Sequence, residues 1–328
     1  MANVLFYGKR LFMKFPDLSP FTQRFSGAGH KVVSTKDLAL DQVYALAQDA
    51  EAIVALGSPV DAQLIAAAGR LRAIQTLSVG YDVVDVAAAT ERGIPVSNCP
   101  EYCTEEVAEH ALGLALHLLR RNQESIPYAQ TGGWGFATFR PIRPFTEQRF
   151  GVLGLGRIGR QFAARVLALG ATVAAYDPYI PASVFDELGV VRVASFEELA
   201  TDCDVVSVHA PLTEETHHIV NAAILQRMKP TAVLINTARG PLVDQQALTA
   251  ALDRSEIAAA GIDVLEQEPP SSEEPLLHHP RAVVTPHIAW YSERSYVRNQ
   301  DDAVDEVIRV LAGEPPRYVV NPTVLATR

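Results

Sequence analysis

The chain has 328 residues, of which 48% are apolar and 20% charged, and its formal net charge is −10. This length exceeds a single hydrophobic core and predicts two domains, and the acidic balance argues against nucleic acid as a partner. The longest apolar stretch, VAEHALGLALHLL, is too short and too polar to span a membrane, so we predict no membrane partner. Three cysteines without ligand-like spacing predict reduced thiols in a cytoplasmic protein and no metal site.

Short apolar runs alternate with amphipathic segments, which is the pattern of βαβ units around parallel sheets. The runs before residue 100 are NVLFYG, AIVALG, LRAIQTL and IPVSN, with helical patterns at 41–50 and 60–69. A second series starts near residue 150 with RFGVLGLG, ATVAAYD, DVVSVHA, AVLINTA, AAAGIDV and AVVTPH. One sheet of that many strands would be unusual, so the pattern predicts two consecutive doubly wound α/β domains.

Two segments lie between these series. TEEVAEHALGLALHLLRR (104–121) has acidic residues at its start and arginines at its end, which suits the helix dipole and predicts a long helix. The segment that follows, TGGWGFATFRPIRPF (131–145), is rich in glycine, proline and aromatic residues and resembles neither a helix nor a core strand. It is either a surface loop or a subunit contact, and its exposed aromatic residues lead us to predict a homodimer.

The motif GVLGLGRIGR predicts a dinucleotide site. Gly154, Gly156 and Gly159 form GxGxxG between an apolar strand and a helical pattern, where glycines permit the turn, the approach of the pyrophosphate and the packing of helix on strand. Asp177 ends the next apolar run, where an acid accepts hydrogen bonds from the adenosine ribose and repels a 2′-phosphate. We therefore predict NAD rather than NADP. The alternative for Asp177, an acid that opens a turn before Pro178, does not explain the spacing.

The ends of the later strands carry the candidate catalytic groups. NTARG, EQEP and TPH supply Arg239, Glu268 and His287 at the edge where open α/β sheets bind ligands. Histidine titrates in the range needed to exchange a proton with a keto or hydroxyl oxygen, and arginine offers a planar fork to a carboxylate. A carboxylate beside the imidazole would orient it and favour its charged form. Each residue alone could be an ordinary surface group, but together they predict hydride transfer between NAD and a 2-keto acid.

These motifs resemble the D-isomer-specific 2-hydroxyacid dehydrogenase family over essentially the whole chain. The resemblance rests on SVGYDVVD, GLGRIG, YDP, HAPLTEETHHIV, LINTARGPLVDQQAL, GIDVLEQEP and TPHIAWYSE. It implies a Rossmann-type NAD domain, residues 101–290, inserted into a flavodoxin-like substrate domain, residues 1–100 and 291–328. The residue pattern alone had indicated two consecutive domains and no return of the chain to the first.

The resemblance also implies roles for individual residues. Arg239, Glu268 and His287 would be catalytic, and the substrate would contact Arg239 and His287 together with Val79, Gly80 and Trp290. Asp263 would face the nicotinamide amide. The remaining predicted NAD contacts are Thr104, Gly154, Leu155, Gly156, Arg157, Ile158, Gly159, Asp177, Pro178, His209, Ala210, Pro211, Thr216, Thr237 and Ala238.

HIAWYSE resembles the branch of the family that contains the C-terminal-binding proteins, NAD(H)-dependent corepressors of animals. A second hypothesis is therefore an NAD(H)-sensing interaction protein with residual dehydrogenase activity. We expect the enzyme, because no disordered tail for partner docking follows PRYVV. A formate oxidiser is disfavoured, because formate enzymes carry glutamine where this chain has Glu268. Trp290 is expected to form an apolar wall near the substrate, and Lys9 and Arg10 either receive a second anionic group or are solvated.

Overall fold

The computed structural model describes residues 1–326 of the chain. The strands are β1 (Asn3–Tyr7), β2 (Lys31–Ser34), β3 (Ala50–Ala55), β4 (Ala73–Thr76), β5 (Val96–Ser97), β6 (Arg149–Leu153), β7 (Thr172–Tyr176), β8 (Val191–Arg192), β9 (Val205–Val208), β10 (Val233–Asn236), β11 (Ala259–Ile262) and β12 (Ala282–Val284). The α-helices are α1 (Lys9–Lys14), α2 (Ser19–Gly27), α3 (Leu40–Ala47), α4 (Ala62–Ala67), α5 (Val86–Glu91), α6 (Thr104–Leu119), α7 (Asn122–Gln130), α8 (Arg157–Ala168), α9 (Ala182–Leu188), α10 (Phe196–Asp202), α11 (Ala222–Arg227), α12 (Gln245–Asp253), α13 (Pro275–His278) and α14 (Glu293–Leu311). Short 3₁₀ turns occupy Ala137–Phe139, Phe145–Glu147, Gly240–Leu242 and Pro322–Leu325.

The chain divides into two compact units. The first contains residues 1–102 and the segment that starts at Ser292, and the second contains residues 103–291. The predicted domain limits fall at 100/101 and 290/291, and residues 327 and 328 of the predicted substrate domain lie outside the described residues. The assignment of substrate binding to the first unit remains a prediction.

The first unit is built on a five-stranded parallel sheet in the order β2-β1-β3-β4-β5. This is the flavodoxin-like order of a doubly wound sheet. The point at which the strand order reverses, the switch point, lies between β1 and β3. The strands are short and mostly apolar, because helices cover a parallel sheet on both faces and leave few positions for polar side chains. The C-terminal α14 returns to this unit and packs on β3, β4 and α2.

The second unit is built on a seven-stranded parallel sheet in the order β12-β11-β10-β9-β6-β7-β8. The chain runs outward from β6 to β8, returns to β9 and continues to β12, so the switch point lies between β6 and β9. This is the strand order of a Rossmann sheet with one further strand. Buried side chains form a core on each face, and every residue of β9, β10 and β11 is buried. The prediction of a Rossmann-type domain and a flavodoxin-like domain is confirmed.

The segments between the series also have the expected character. The helix predicted over 104–121 is α6, which spans Thr104–Leu119 and has Cys103 at its N-cap position. Residues 131–145 form a loop that contains the 3₁₀ turn Ala137–Phe139 and ends where the turn Phe145–Glu147 begins. In this loop Trp134 is 91% and Phe136 75% exposed. Within residues 1–326 no helix is long and apolar enough to cross a membrane, and no cluster of three or more His, Cys, Asp or Glu side chains could hold a metal ion.

Candidate active site

The GxGxxG loop follows β6, at the switch point of the second sheet. Gly154 has φ +91, and a methyl group on it would lie 2.8 Å from the backbone nitrogen of Ala210 after β9. A methyl group on Gly159 would lie 2.1 Å from the Gly154 carbonyl oxygen, whereas one on Gly156 would have no atom within 4 Å. Two glycines are therefore required by packing, and the third borders open space directly before Arg157, the first residue of α8.

Asp177 lies at the end of β7 and fixes the same loop. One carboxylate oxygen accepts the backbone N–H of Leu155 at 2.8 Å, and the other accepts that of Tyr179 at 2.9 Å. Pro178 between them is exposed. One charge-assisted hydrogen bond thus holds the carboxylate against the glycine loop, and the other closes the turn at Pro178. The carboxylate lies at the place where the sequence predicts ribose recognition.

The loop after β9 contains four of the predicted cofactor contacts, His209, Ala210, Pro211 and Thr216. The His209 N–H donates to the Leu153 carbonyl at 2.7 Å, and the Thr216 hydroxyl donates to the Pro211 carbonyl at 2.7 Å. The His209 ring lies 2.8 Å from the Ser207 hydroxyl, and burial lowers the pKa of His209 to about 3. This imidazole is therefore uncharged at neutral pH and contributes no positive charge to the cofactor site.

The loop after β10 presents Thr237, Ala238 and Arg239. Buried Asn236 holds its shape, because the side-chain amide donates to the Arg239 carbonyl at 2.8 Å and accepts the Ala238 N–H at 3.0 Å. The Arg239 guanidinium, half-buried, donates to the Ala238 carbonyl at 2.8 Å. Gly240 packs on the next loop, since a methyl group there would lie 2.1 Å from the Leu265 carbonyl oxygen. The two loops that carry Arg239 and Glu268 are thus in direct backbone contact.

Asp263, at the end of β11, anchors the turn that follows β12. One of its oxygens accepts the Thr285 hydroxyl at 2.6 Å and the Ile288 N–H at 2.9 Å, and the other accepts the Ala289 N–H at 2.9 Å. His110 from α6 lies 3.0 Å from the Thr285 hydroxyl. The side chain of Asp263 is 2% exposed, so this buried carboxylate serves as the acceptor for three donors of one turn. The predicted contact of Asp263 with the nicotinamide remains a prediction.

The structure brings His287 and Glu268 together. His287 Nδ1 lies 2.7 Å from one carboxylate oxygen of Glu268, and the other oxygen accepts the Leu265 N–H at 2.9 Å. The side chains are 26% and 16% exposed, respectively. The backbone of His287 is left-handed, with φ +54, a conformation that costs a residue other than glycine roughly 1–3 kcal/mol. Surrounding contacts must hold it there.

Trp290 supplies one of these contacts. Its indole N–H donates to the His287 carbonyl oxygen at 3.0 Å. Its ring meets that of Tyr291 edge to face, with centroids 5.4 Å apart. The sequence predicted an apolar wall at this position, and the hydrogen bond to the backbone of the histidine was not foreseen.

Four predicted contacts lie elsewhere. Val79 and Gly80 follow β4 in the first unit, Thr104 is the first residue of α6, and Ile158 packs into the core of the second unit. Conversely, Asn236, Thr285 and His110 hold the site but were missed. A buried asparagine at the end of an apolar run, as in INTARG, is the sequence signal that would have identified the first of these.

The strand-end residues fit a dinucleotide. Gly154 and Gly159 form a cradle in which side chains would clash, and Gly156 leaves space where a pyrophosphate would approach the start of α8. The Thr237 hydroxyl oxygen at the end of β10 is buried without a hydrogen-bond partner among the described residues, and a polar ligand would satisfy it. A doubly wound sheet with this loop, next to a histidine–carboxylate pair and an arginine, defines an NAD-dependent oxidoreductase.

The comparisons with known proteins identify the family. Residues 112–289 match the model of the D-isomer specific 2-hydroxyacid dehydrogenase, NAD binding domain. The chain is 39% identical to a glyoxylate reductase of Korarchaeum cryptofilum, over 86% of both chains. A D-lactate dehydrogenase from Aquifex aeolicus, complexed with NAD and lactic acid, superposes with a TM-score of 0.85 at 29% identity, covering 97% of this chain and 99% of that one. An NADPH-dependent glyoxylate/hydroxypyruvate reductase from Sinorhizobium meliloti, in complex with NADP and malonate, superposes with a TM-score of 0.82 at 30% identity, covering 98% and 97%.

The chain belongs to the D-isomer-specific 2-hydroxyacid dehydrogenase family, and it is an NAD-dependent enzyme of that family. The resemblance predicted from the motifs is confirmed, and so is the cofactor.

Proposed function

We propose that the protein reduces a small 2-keto acid to the D-2-hydroxy acid, or oxidises the hydroxy acid, with His287 as the acid/base. The observation that carries this proposal is the 2.7 Å contact between His287 Nδ1 and Glu268. A carboxylate on Nδ1 fixes the ring orientation and leaves Nε2 as the nitrogen that exchanges the proton with the substrate oxygen.

Each catalytic side chain has a distinct role in this proposal. Bound NADH would supply the hydride. In the direction of reduction, His287 donates a proton to the keto oxygen, and Glu268 holds the imidazole ring through its contact with Nδ1. Arg239 binds the substrate carboxylate with its planar fork and polarises the carbonyl. The assignment of the Val79 and Gly80 backbone to the same carboxylate rests on the family resemblance alone.

The relatives support a small substrate. One of them is a glyoxylate reductase and another a D-lactate dehydrogenase. We therefore propose glyoxylate or pyruvate as the first candidates.

The test is NADH oxidation by the wild type and by His287→Ala, measured with 2-keto acids that have small, branched, thioether, aromatic and phosphorylated side chains. We expect turnover of at least one small keto acid and a loss of about a hundredfold or more in the variant. Absence of turnover with every keto acid, or wild-type activity of His287→Ala, would refute the proposal. Binding of NADH, followed by fluorescence, shows whether the variant remains folded.

NAD in preference to NADP is also a proposal. The position of Asp177 supports it, because a carboxylate against the glycine loop would repel a 2′-phosphate. The NADP-bound relative shows that this family also accommodates the phosphorylated cofactor.

We propose a homodimer that forms through residues 122–146 and the helix that precedes them, α6. The support is the exposure of Trp134, Phe136 and Ile126, which are 91%, 75% and 49% exposed in the single chain. Three exposed large apolar residues in one segment commonly mark a protein contact. Sedimentation at micromolar concentration should give a dimer, and Trp134→Ala/Phe136→Ala should weaken it. A monomeric wild type would contradict the proposal.

The NAD(H)-sensing interaction protein remains a prediction that rests on HIAWYSE. No feature of the described residues favours it over the enzyme. The cytoplasmic location predicted from cysteine usage likewise remains a prediction.

A further inference from the structure

The catalytic histidine lies on a turn rather than on a strand. β12 ends at Val284, and His287 has a left-handed backbone with φ +54. Its N–H donates to the Asp263 carbonyl at 2.9 Å, which fixes one side of the peptide. Because a change of φ or ψ at His287 would swing its Cα–Cβ bond, the direction of the imidazole depends on these backbone contacts.

The other side of the same residue is fixed by Trp290. The indole N–H donates to the His287 carbonyl at 3.0 Å, across a turn of three residues. The turn is rigid at its centre, where the Ile288 and Ala289 N–H groups both donate to the buried Asp263 carboxylate. Trp290 is half-buried, and its ring packs edge to face on Tyr291.

We propose that Trp290 is a positioning residue, whose indole N–H holds the left-handed backbone of His287 and thereby keeps Nδ1 on the Glu268 carboxylate. This rests on the proposed role of His287 as the acid/base. It differs from the expected apolar wall, because a wall needs only the ring, whereas the positioning role needs the N–H.

Trp290→Phe separates the two roles, since phenylalanine retains an aromatic ring and lacks the donor. Loss of one neutral hydrogen bond that orients the catalytic group predicts a decrease of roughly two- to tenfold in kcat. The KM for the keto acid and the dissociation constant for NADH should change by less than about twofold. The reason is that the aromatic ring is retained at position 290 and that Trp290 is not one of the predicted NADH contacts. Tyr44→Phe, which also removes one donor from an aromatic side chain and lies on α3 of the first unit, is the matched control and should leave kcat unchanged.

A double-mutant cycle with Glu268→Gln tests the route of the effect. If Trp290 acts by keeping His287 on Glu268, its substitution should lower kcat less in the Glu268→Gln background than in the wild type. Equal effects in both backgrounds would overturn the proposal, and so would an unchanged kcat in Trp290→Phe. A shifted ranking of keto acids with unchanged kcat would assign the residue to the wall role alone.

A second variant tests the role of the N–H without the change in packing that phenylalanine introduces. In the Trp134→Phe chain, 3-benzothienylalanine at position 290 has nearly the shape of tryptophan, with sulfur in place of the N–H. The proposal expects the same decrease in kcat for it as for Trp290→Phe, and full activity would overturn the proposal. His287→Ala is measured in parallel. If the proposed function is wrong, His287→Ala remains active. If only the positioning role of Trp290 is wrong, His287→Ala is inactive while the Trp290 variants keep full activity.

Discussion

His209 permits a test of the second unit that requires no substrate. Its imidazole lies 2.8 Å from the Ser207 hydroxyl and 5.0 Å from the Phe162 ring centroid, and burial lowers its pKa to about 3. An unfolded histidine titrates near pH 6.5. Below that pH the unfolded chain therefore binds a proton that the folded chain does not. The stability that His209 contributes is complete above pH 6.5 and is lost as the pH falls toward 3.

His209→Gln removes this titration and retains an amide near the position of Nε2 for Ser207. With pKa values of 6.5 unfolded and about 3 folded, the free energy of unfolding of the wild type should fall by about 2 kcal/mol more than that of the variant between pH 6.5 and 4.5. Urea unfolding followed by circular dichroism measures this difference. His217→Gln, at an exposed histidine, is the control. Parallel pH dependence of the wild type and His209→Gln would refute the argument that this imidazole is buried and uncharged.

Three further outcomes are expected. Glu268→Gln retains the shape of the side chain and removes the charge from its 2.7 Å contact with His287 Nδ1, so kcat for keto-acid reduction should fall, but by less than in His287→Ala; an unchanged kcat would show that the pair does not act in catalysis. Asp177→Ala should reduce the preference for NADH over NADPH by roughly ten- to a hundredfold in kcat/KM, and an unchanged ratio would remove Asp177 from the cofactor site. Gly159→Ala places a methyl group 2.1 Å from the Gly154 carbonyl oxygen, and we expect about 1–3 kcal/mol of destabilisation with weaker NADH binding; a wild-type melting temperature would show that the loop yields.

Much of the fold could be predicted from the sequence, because buried parallel strands leave a clear record. Runs such as AVLINTA are apolar on both faces and too short for helices, and the residues that follow them lie at one edge of a sheet. The three glycines of GLGRIG also predicted the cofactor loop correctly. The sequence pattern is strict there because packing leaves no room for a side chain at two of the three positions. The return of the chain to its first unit was not visible, because α14 has the same amphipathic pattern wherever it packs.

The side chains that hold the site were harder to find, because their partners are backbone groups. Asp263 was expected to face the nicotinamide, and in the structure its carboxylate accepts three donors from the turn after β12. Asn236 fixes the Arg239 loop in the same way. Hydrogen bonds from side chains to the backbone leave no periodic pattern in a sequence. A polar residue at the end of an apolar run, such as Asn236, indicates that such bonds exist, but coordinates are needed to identify their partners.

The close contact of Gly240 with the Leu265 backbone connects the loop that carries Arg239 to the loop that carries Glu268. The Arg239 loop rests on the backbone of the residue whose N–H also binds Glu268, and no side chain separates the two loops. A displacement of the arginine when it takes up an anion would therefore be transmitted to the carboxylate, and from there to the imidazole. If Arg239 binds the substrate carboxylate and His287 exchanges the proton, as proposed above, the backbone contact at Gly240 would couple these two functions. Redesign of the substrate preference would have to preserve that glycine, even though no chemistry takes place on it.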